Sequence, residues 1–101
     1  MHIAVNGEIG PVDSRTRAYV EYRVFDTLRS IERELRGVDV SLSDQSMGAP
    51  PVVTCTIVLD FSSRDRIVAT ATADWPYAAI DRAVREARRQ IQGRAREAPV
   101  S

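Results

Sequence analysis

The sequence predicts an α+β fold: a two-layer sandwich in the order β-α-β-β-β-α, with two helices on one face of a four-stranded, mostly antiparallel sheet. Three observations predict it. Residues 38–43, 53–59 and 67–73 alternate from one side of the chain to the other with a period of two, the pattern of half-buried strands. Two other segments each carry one apolar stripe at the helical period: Val20, Val24, Leu28, Ile31 and Leu35, then Ile80, Val84, Ala87 and Ile91. A chain of 101 residues holds a single core, so elements with one apolar side each must share it.

The first strand is the short apolar run His2-Ile3-Ala4-Val5-Asn6, ended by Gly7 and a loop through Gly10-Pro11. Asp13 or Ser14 can cap the first helix, whose stripe runs on to Leu35, with Gly37 as its stop. Val38, Val40 and Leu42 then face inward from a strand whose other side is Asp39, Ser41 and Ser43. Gly48-Ala49-Pro50-Pro51 marks a loop, because proline cannot donate to a sheet ladder. Val53, Cys55, Ile57 and Leu59 face inward from the next strand, and Ser62-Ser63-Arg64-Asp65 reads as a hairpin turn. In the fourth strand Ile67, Ala69, Ala71 and Ala73 face inward, small enough to let a helix lie close. Asp74 can cap the last helix, Pro76 suits its first turn, and Gly93 is its expected end. Residues 1–93 thus form one domain, and 94–101 a basic, flexible tail.

No apolar run approaches the ~20 residues of a membrane span, and the N-terminus lacks the basic-then-apolar order of a signal peptide. The lone cysteine, Cys55, sits inside an apolar strand and reads as a buried small hydrophobe. Together these features predict a cytosolic protein with no membrane association. All fourteen basic residues are arginine, whose planar fork suits phosphate. The charge is unevenly spread: Arg82 to Arg96 holds six arginines and one acid, while the whole chain is neutral. A basic helix on a neutral protein points to a local surface for an anion, with RNA the first candidate.

The strand-turn-helix Ala71-Thr72-Ala73 … Tyr77-Ala78-Ala79-Ile80-Asp81, and more weakly Arg17-Ala18-Tyr19-Val20-Glu21, resemble the ribosome hibernation-promoting factor family, also described as protein Y-like or sigma-54 modulation-like. The resemblance covers roughly residues 2–94, the whole N-terminal domain of that family. It implies binding to the decoding region of the small ribosomal subunit and its ribosomal RNA, and inhibition of translation under stress by occupancy. It also implies RNA contact through basic side chains on both helices. Carried over by position, Arg89, Arg94 and Arg96 match basic family positions in the last helix and Arg23 one in the first. Asp26 and Glu86 stand where relatives usually carry lysine, Gly93 replaces another, and Trp75-Pro76 is an unusual approach to the tyrosine.

Helical geometry places Arg82, Arg85 and Arg89 opposite the buried stripe, with Arg88 flanking them, as a solvent-facing ridge that would contact phosphates without reading sequence. The plain alternative is a solvated charged face supported by Glu86. Tyr19 and Tyr22, near Arg15, Arg23 and Arg33, could stack on exposed bases or simply seal the core edge. Catalysis finds little support: one histidine (His2) and one cysteine make neither a zinc site nor a catalytic triad, and no metal or cofactor is expected. A rival reading is a divergent family member that acts as a protein-protein module, forming a homodimer through its polar outer sheet face.

Overall fold

The computed structural model describes residues 3–7, 14–44 and 52–97, with side chains described for 3–7, 14–43 and 52–93. The order is β1 (Ile3–Gly7), α1 (Ser14–Leu28), a 3₁₀ helix (Arg29–Glu34), β2 (Leu35–Asp44), β3 (Val53–Phe61), β4 (Arg66–Ala73) and α2 (Pro76–Glu97). The strands lie side by side as β1-β2-β3-β4. β1 pairs with β2 in parallel, across the α1 crossover, and the other two pairings are antiparallel. The predicted α+β architecture is therefore present, with a mixed sheet.

Both helices cover one face, where Val20, Val24, Val40, Cys55, Ile57, Leu59 and Ile80 are almost wholly excluded from solvent. Ala69 of β4 and Ala79, Ala83 and Ala87 of α2 are buried together; small side chains on both layers let α2 settle close against the sheet. Cys55 is free, and burial pushes its thiol up to about 12, so it packs as a hydrophobe rather than reacting as a thiolate.

Four boundaries depart from the sequence reading. The first helix ends at Leu28, not at Gly37: a 3₁₀ turn follows, Ile31 leaves helical geometry (φ −117°, ψ 16°), and Leu35 opens β2. Ile31 and Leu35 still pack on the core, so the stripe persists although the helix does not. Contact with the hairpin fixes this junction, since Ser62 N–H donates to Glu34 O at 2.8 Å. α2 runs through Gly93 to Glu97, four residues past its expected end. Its N-cap is Trp75, whose carbonyl accepts Ala79 N–H at 3.0 Å, rather than Asp74; Pro76 takes the first helical position, where its missing N–H costs nothing. The expected loop 45–51, Asp13 and residues 98–101 lie outside the described residues.

Candidate nucleic-acid interface

By helical position Arg82, Arg85 and Arg89 fall within about 60° of one another, with Arg88 about 60° further round. What divides them is their surroundings: Arg85 and Arg88 line a groove toward α1, Arg82 reaches the edge of β4, and Arg89 is held by Glu86. All four are exposed. Their neighbours differ.

On the α1 side, Arg85 and Arg88 line a groove of about 530 Å³ together with Arg23, Arg29 and Asp26. Val84 forms part of its wall, and Thr27, Ser30 and Gln92 add neutral polar groups. Neither Arg85 nor Arg88 has an ion-pair partner among the described residues. Sequence reasoning missed Arg29, which with Ser30 opens the 3₁₀ helix after Leu28 and extends the groove beyond the end of α1.

On the β4 side the cations are already engaged. Arg82 Nη1 donates to Thr72 O at 2.9 Å, and Gln90 Nε2 donates to Val68 O at 3.1 Å. β4 is an edge strand, so these side chains satisfy carbonyls that another strand would otherwise meet. Arg89 holds Glu86 through two donors, Nε to Oε2 at 2.9 Å and Nη2 to Oε1. The Arg89 hydrogen bond, with Gln90 second, holds the Glu86 carboxyl below its usual range, and the same bond raises Arg89.

Two predicted contact residues in α1, Tyr19 and Arg23, have partners within the protein. Asp81 Oδ1 accepts from the Tyr19 hydroxyl at 2.6 Å and from Arg23 Nε at 3.0 Å, joining α1 to α2. The Tyr19 ring stacks on Tyr77 with centroids 4.5 Å apart, and Trp75 meets Tyr77 edge-on at 5.9 Å. The Asp81 hydrogen bond and then burial push the Tyr19 hydroxyl above its ordinary value. Arg23 reaches the groove as an already paired cation, and Tyr77 takes one face of the Tyr19 ring. Tyr22 is 66% exposed, as the stacking proposal requires. Phe25, 50% exposed on the same helix, and Trp75, 58% exposed, are further aromatic surface that the sequence reading did not assign. Phe25 was detectable: it falls 100° off the stripe centred on Val24. Arg94 and Arg96 lie in the helical backbone of α2, but their side chains are outside those described.

The whole described chain, residues 3–97, matches the model of the Sigma 54 modulation protein / S30EA ribosomal protein family. The chain belongs to this family. Among solved structures, a ribosomal subunit interface protein from Coxiella burnetii shares the fold with a TM-score of 0.82 at 14% identity, covering 95% of this chain and 99% of that one. The N-terminal domain of Thermus thermophilus Protein Y aligns with a TM-score of 0.77 at 26% identity, covering 92% of this chain and 98% of that one. No curated protein matches the chain closely enough to count as a relative.

The motif residues that carried the resemblance now have physical roles. Tyr77, Asp81 and Tyr19 make the inter-helix clamp, and Ala79 and Ile80 are core. They preserve the spacing of α1 and α2, and that spacing defines the arginine groove.

Proposed function

We propose that this protein is a cytoplasmic ribosome hibernation factor that binds small-subunit ribosomal RNA near the decoding site and blocks translation by occupancy, with no chemistry of its own. The observation that carries the reading is the groove between the helices, where Arg29, Arg85 and Arg88 stand without an ion-pair partner around one carboxylate, Asp26. Family membership and the likeness to the Coxiella ribosomal subunit interface protein support the partner. The guanidiniums would hold phosphates and set orientation without reading sequence. Tyr22, with Phe25 beside it on the same exposed flank, would stack on unpaired bases.

The groove redefines which arginines matter. Arg85 and Arg88 are the principal phosphate ligands, while Arg82 and Arg89 act mainly within the protein. Co-sedimentation with isolated small subunits across a salt series tests this. Each phosphate left without its arginine should flatten the slope of log affinity against log salt by about 0.7–0.9. Unaltered slope in the double variant Arg85→Ala/Arg88→Ala would remove the groove from the mechanism.

The rival homodimer through the outer sheet face is limited by size. Four strands about 4.8 Å apart and about eight residues long at ~3.3 Å each span a flat area of roughly 500 Å² per protomer. That is small beside the ~800 Å² of accessible surface per partner in a stable interface. The face is uncharged over the rows Ser41-Thr56-Thr70 and Ser43-Thr54-Thr72, which favours weak association at most.

A further inference from the structure

We propose a second anion-binding site, on the sheet face opposite the helices, where Arg36 and Arg64 hold a phosphate group of the RNA backbone; the choice of RNA rests on the function proposed above. Two irregularities of the backbone lead there. The β2–β3 register shifts by one between Leu35 and Gly37, which makes Arg36 the extra residue of a bulge. In the β3–β4 turn Arg64 adopts φ 74°, the left-handed region that glycine or asparagine occupies more easily. The turn itself does not ask for arginine: its hydrogen bond from Arg64 N–H to Phe61 O, 2.9 Å, is main-chain and open to any residue. The hairpin loop itself requires a residue in the left-handed region at this position, so what the turn leaves unexplained is the side chain: arginine where glycine or asparagine would sit more easily.

Both arginines line one cleft of about 700 Å³, with Gly37, Asp60, Asp65 and Arg66 around it. Asp60 and Arg66 are cross-strand partners adjacent to buried Leu59 and Ile67, so they belong to the outer face. The two carboxylates are already occupied. Arg66 Nε donates to Asp60 Oδ1 at 2.9 Å, and Ser63 Oγ donates to Asp65 Oδ2 at 3.1 Å. Arg36 and Arg64 are exposed and have no ion-pair partner among the described residues. Two unclaimed guanidinium forks in one cleft are a donor set for a phosphate.

Three of the turn's main-chain donors are spent: Phe61 N–H on Asp65 O, Ser62 N–H on Glu34 O, Arg64 N–H on Phe61 O. Recognition falls mainly to the guanidiniums and is salt-sensitive. The next row of the face carries Asp39, beside Val58, so an extended polyanion is not drawn along the sheet. One phosphate at the sheet end is what the cleft accommodates. The protein then touches RNA on both faces, as a wedge between two backbone segments.

Amide resonances of isotopically labelled protein, followed during titration with a short RNA hairpin at low salt, separate the two faces. The expected result is movement at Arg36, Gly37 and Ser62 to Asp65 as well as along the helix groove. The double variant Arg36→Ala/Arg64→Gly should stay folded, with equal or higher melting temperature because glycine relieves the left-handed turn. It should abolish the cleft shifts alone and lower the salt slope by about 0.7–0.9, one neutralised phosphate. Groove shifts without cleft shifts would overturn this proposal and leave the proposed function standing. Cleft shifts without groove shifts would support the cleft and overturn the groove. Movement at neither face overturns both, and cleft shifts produced by an acidic peptide but not by RNA overturn the phosphate assignment.

Discussion

The two flanks of α2 are alike in sequence and unlike in structure. Each carries two exposed arginines, one turn or two apart. Toward β4, Arg82 and Arg89 are bound to Thr72 O and to Glu86; toward α1, Arg85 and Arg88 border a groove without partners of their own. Charge alone does not distinguish the flanks. What distinguishes them is whether an acceptor bonds them: Thr72 O of the edge strand takes Arg82 and Glu86 of α2 itself takes Arg89, whereas Arg85 and Arg88 have no ion-pair partner among the described residues although Asp26 lies in the same groove. On the first flank Arg82 protects the sheet edge and Arg89 is held within α2, while the cations on the second remain for a ligand.

The strongest way to break the comparison is to remove the clamp. Asp81→Ala leaves the Tyr19 hydroxyl and the Arg23 guanidinium without their acceptor, with both partners part-exposed. A decrease of about 1–2 kcal/mol in stability to denaturant is expected, together with weaker subunit binding as the groove loses its spacing. The clamp also predicts a pH response. The folded-state value of Tyr19 lies above its ordinary value of 10.0, so its contribution is fully present below that pH and is lost as pH rises through the raised value. In Tyr19→Phe the alkaline limb of the stability curve, which Cys55 also shapes, should be shallower.

A smaller effect is expected at Gly93, which lies inside α2 with nothing within 4 Å of the position a Cβ would take. Gly93→Ala should raise stability by about 0.5–1 kcal/mol through the unfolded chain and helix propensity, measured as a higher melting temperature. Unchanged or lower stability would argue that α2 does not persist through that turn.

The smallest change in stability sharpens the comparison most. Glu86→Gln releases Arg89 from an exposed pair, so unfolding should shift by less than about 0.5 kcal/mol. The salt slope of binding should steepen by up to about 0.7–0.9 as a fourth helix arginine becomes free to meet phosphate. No steepening would mean that the β4 flank lies away from the ligand altogether.

The fold was largely legible because each element's period reports the one face it buries. Alternation at 53–59 and 67–73 led to β3 and β4, and the stripe Ile80, Val84, Ala87 led to α2. The same signal could not locate the end of α1. Ile31 and Leu35 reach the core from a 3₁₀ turn and a strand as well as they would from a helix, and no glycine or proline stands at Leu28–Arg29. Gly93 misled for the complementary reason: glycine permits a helix stop without requiring one. The site was legible only as a set of arginines. Partner choice depends on residues far apart in sequence, with Asp81 taking Arg23 across 58 positions and Thr72 O taking Arg82. Periodicity places a side chain on a face but says nothing of what the next element holds out to it. Tyr19 shows the same limit, since its distance from the apolar stripe suggested an open ring and Tyr77 of α2 stacks on one face of it.

The most direct test sets one flank against the other in a single assay: co-sedimentation with small ribosomal subunits over a salt series for Arg85→Ala/Arg88→Ala and for Arg82→Ala/Arg89→Ala. The first pair should flatten the salt slope by about 1.4–1.8 with little change in melting temperature. The second should leave the slope nearly as in the parent protein. Equal flattening by both pairs would contradict the account, because the bonds to Thr72 O and Glu86 would then not withhold those arginines from RNA.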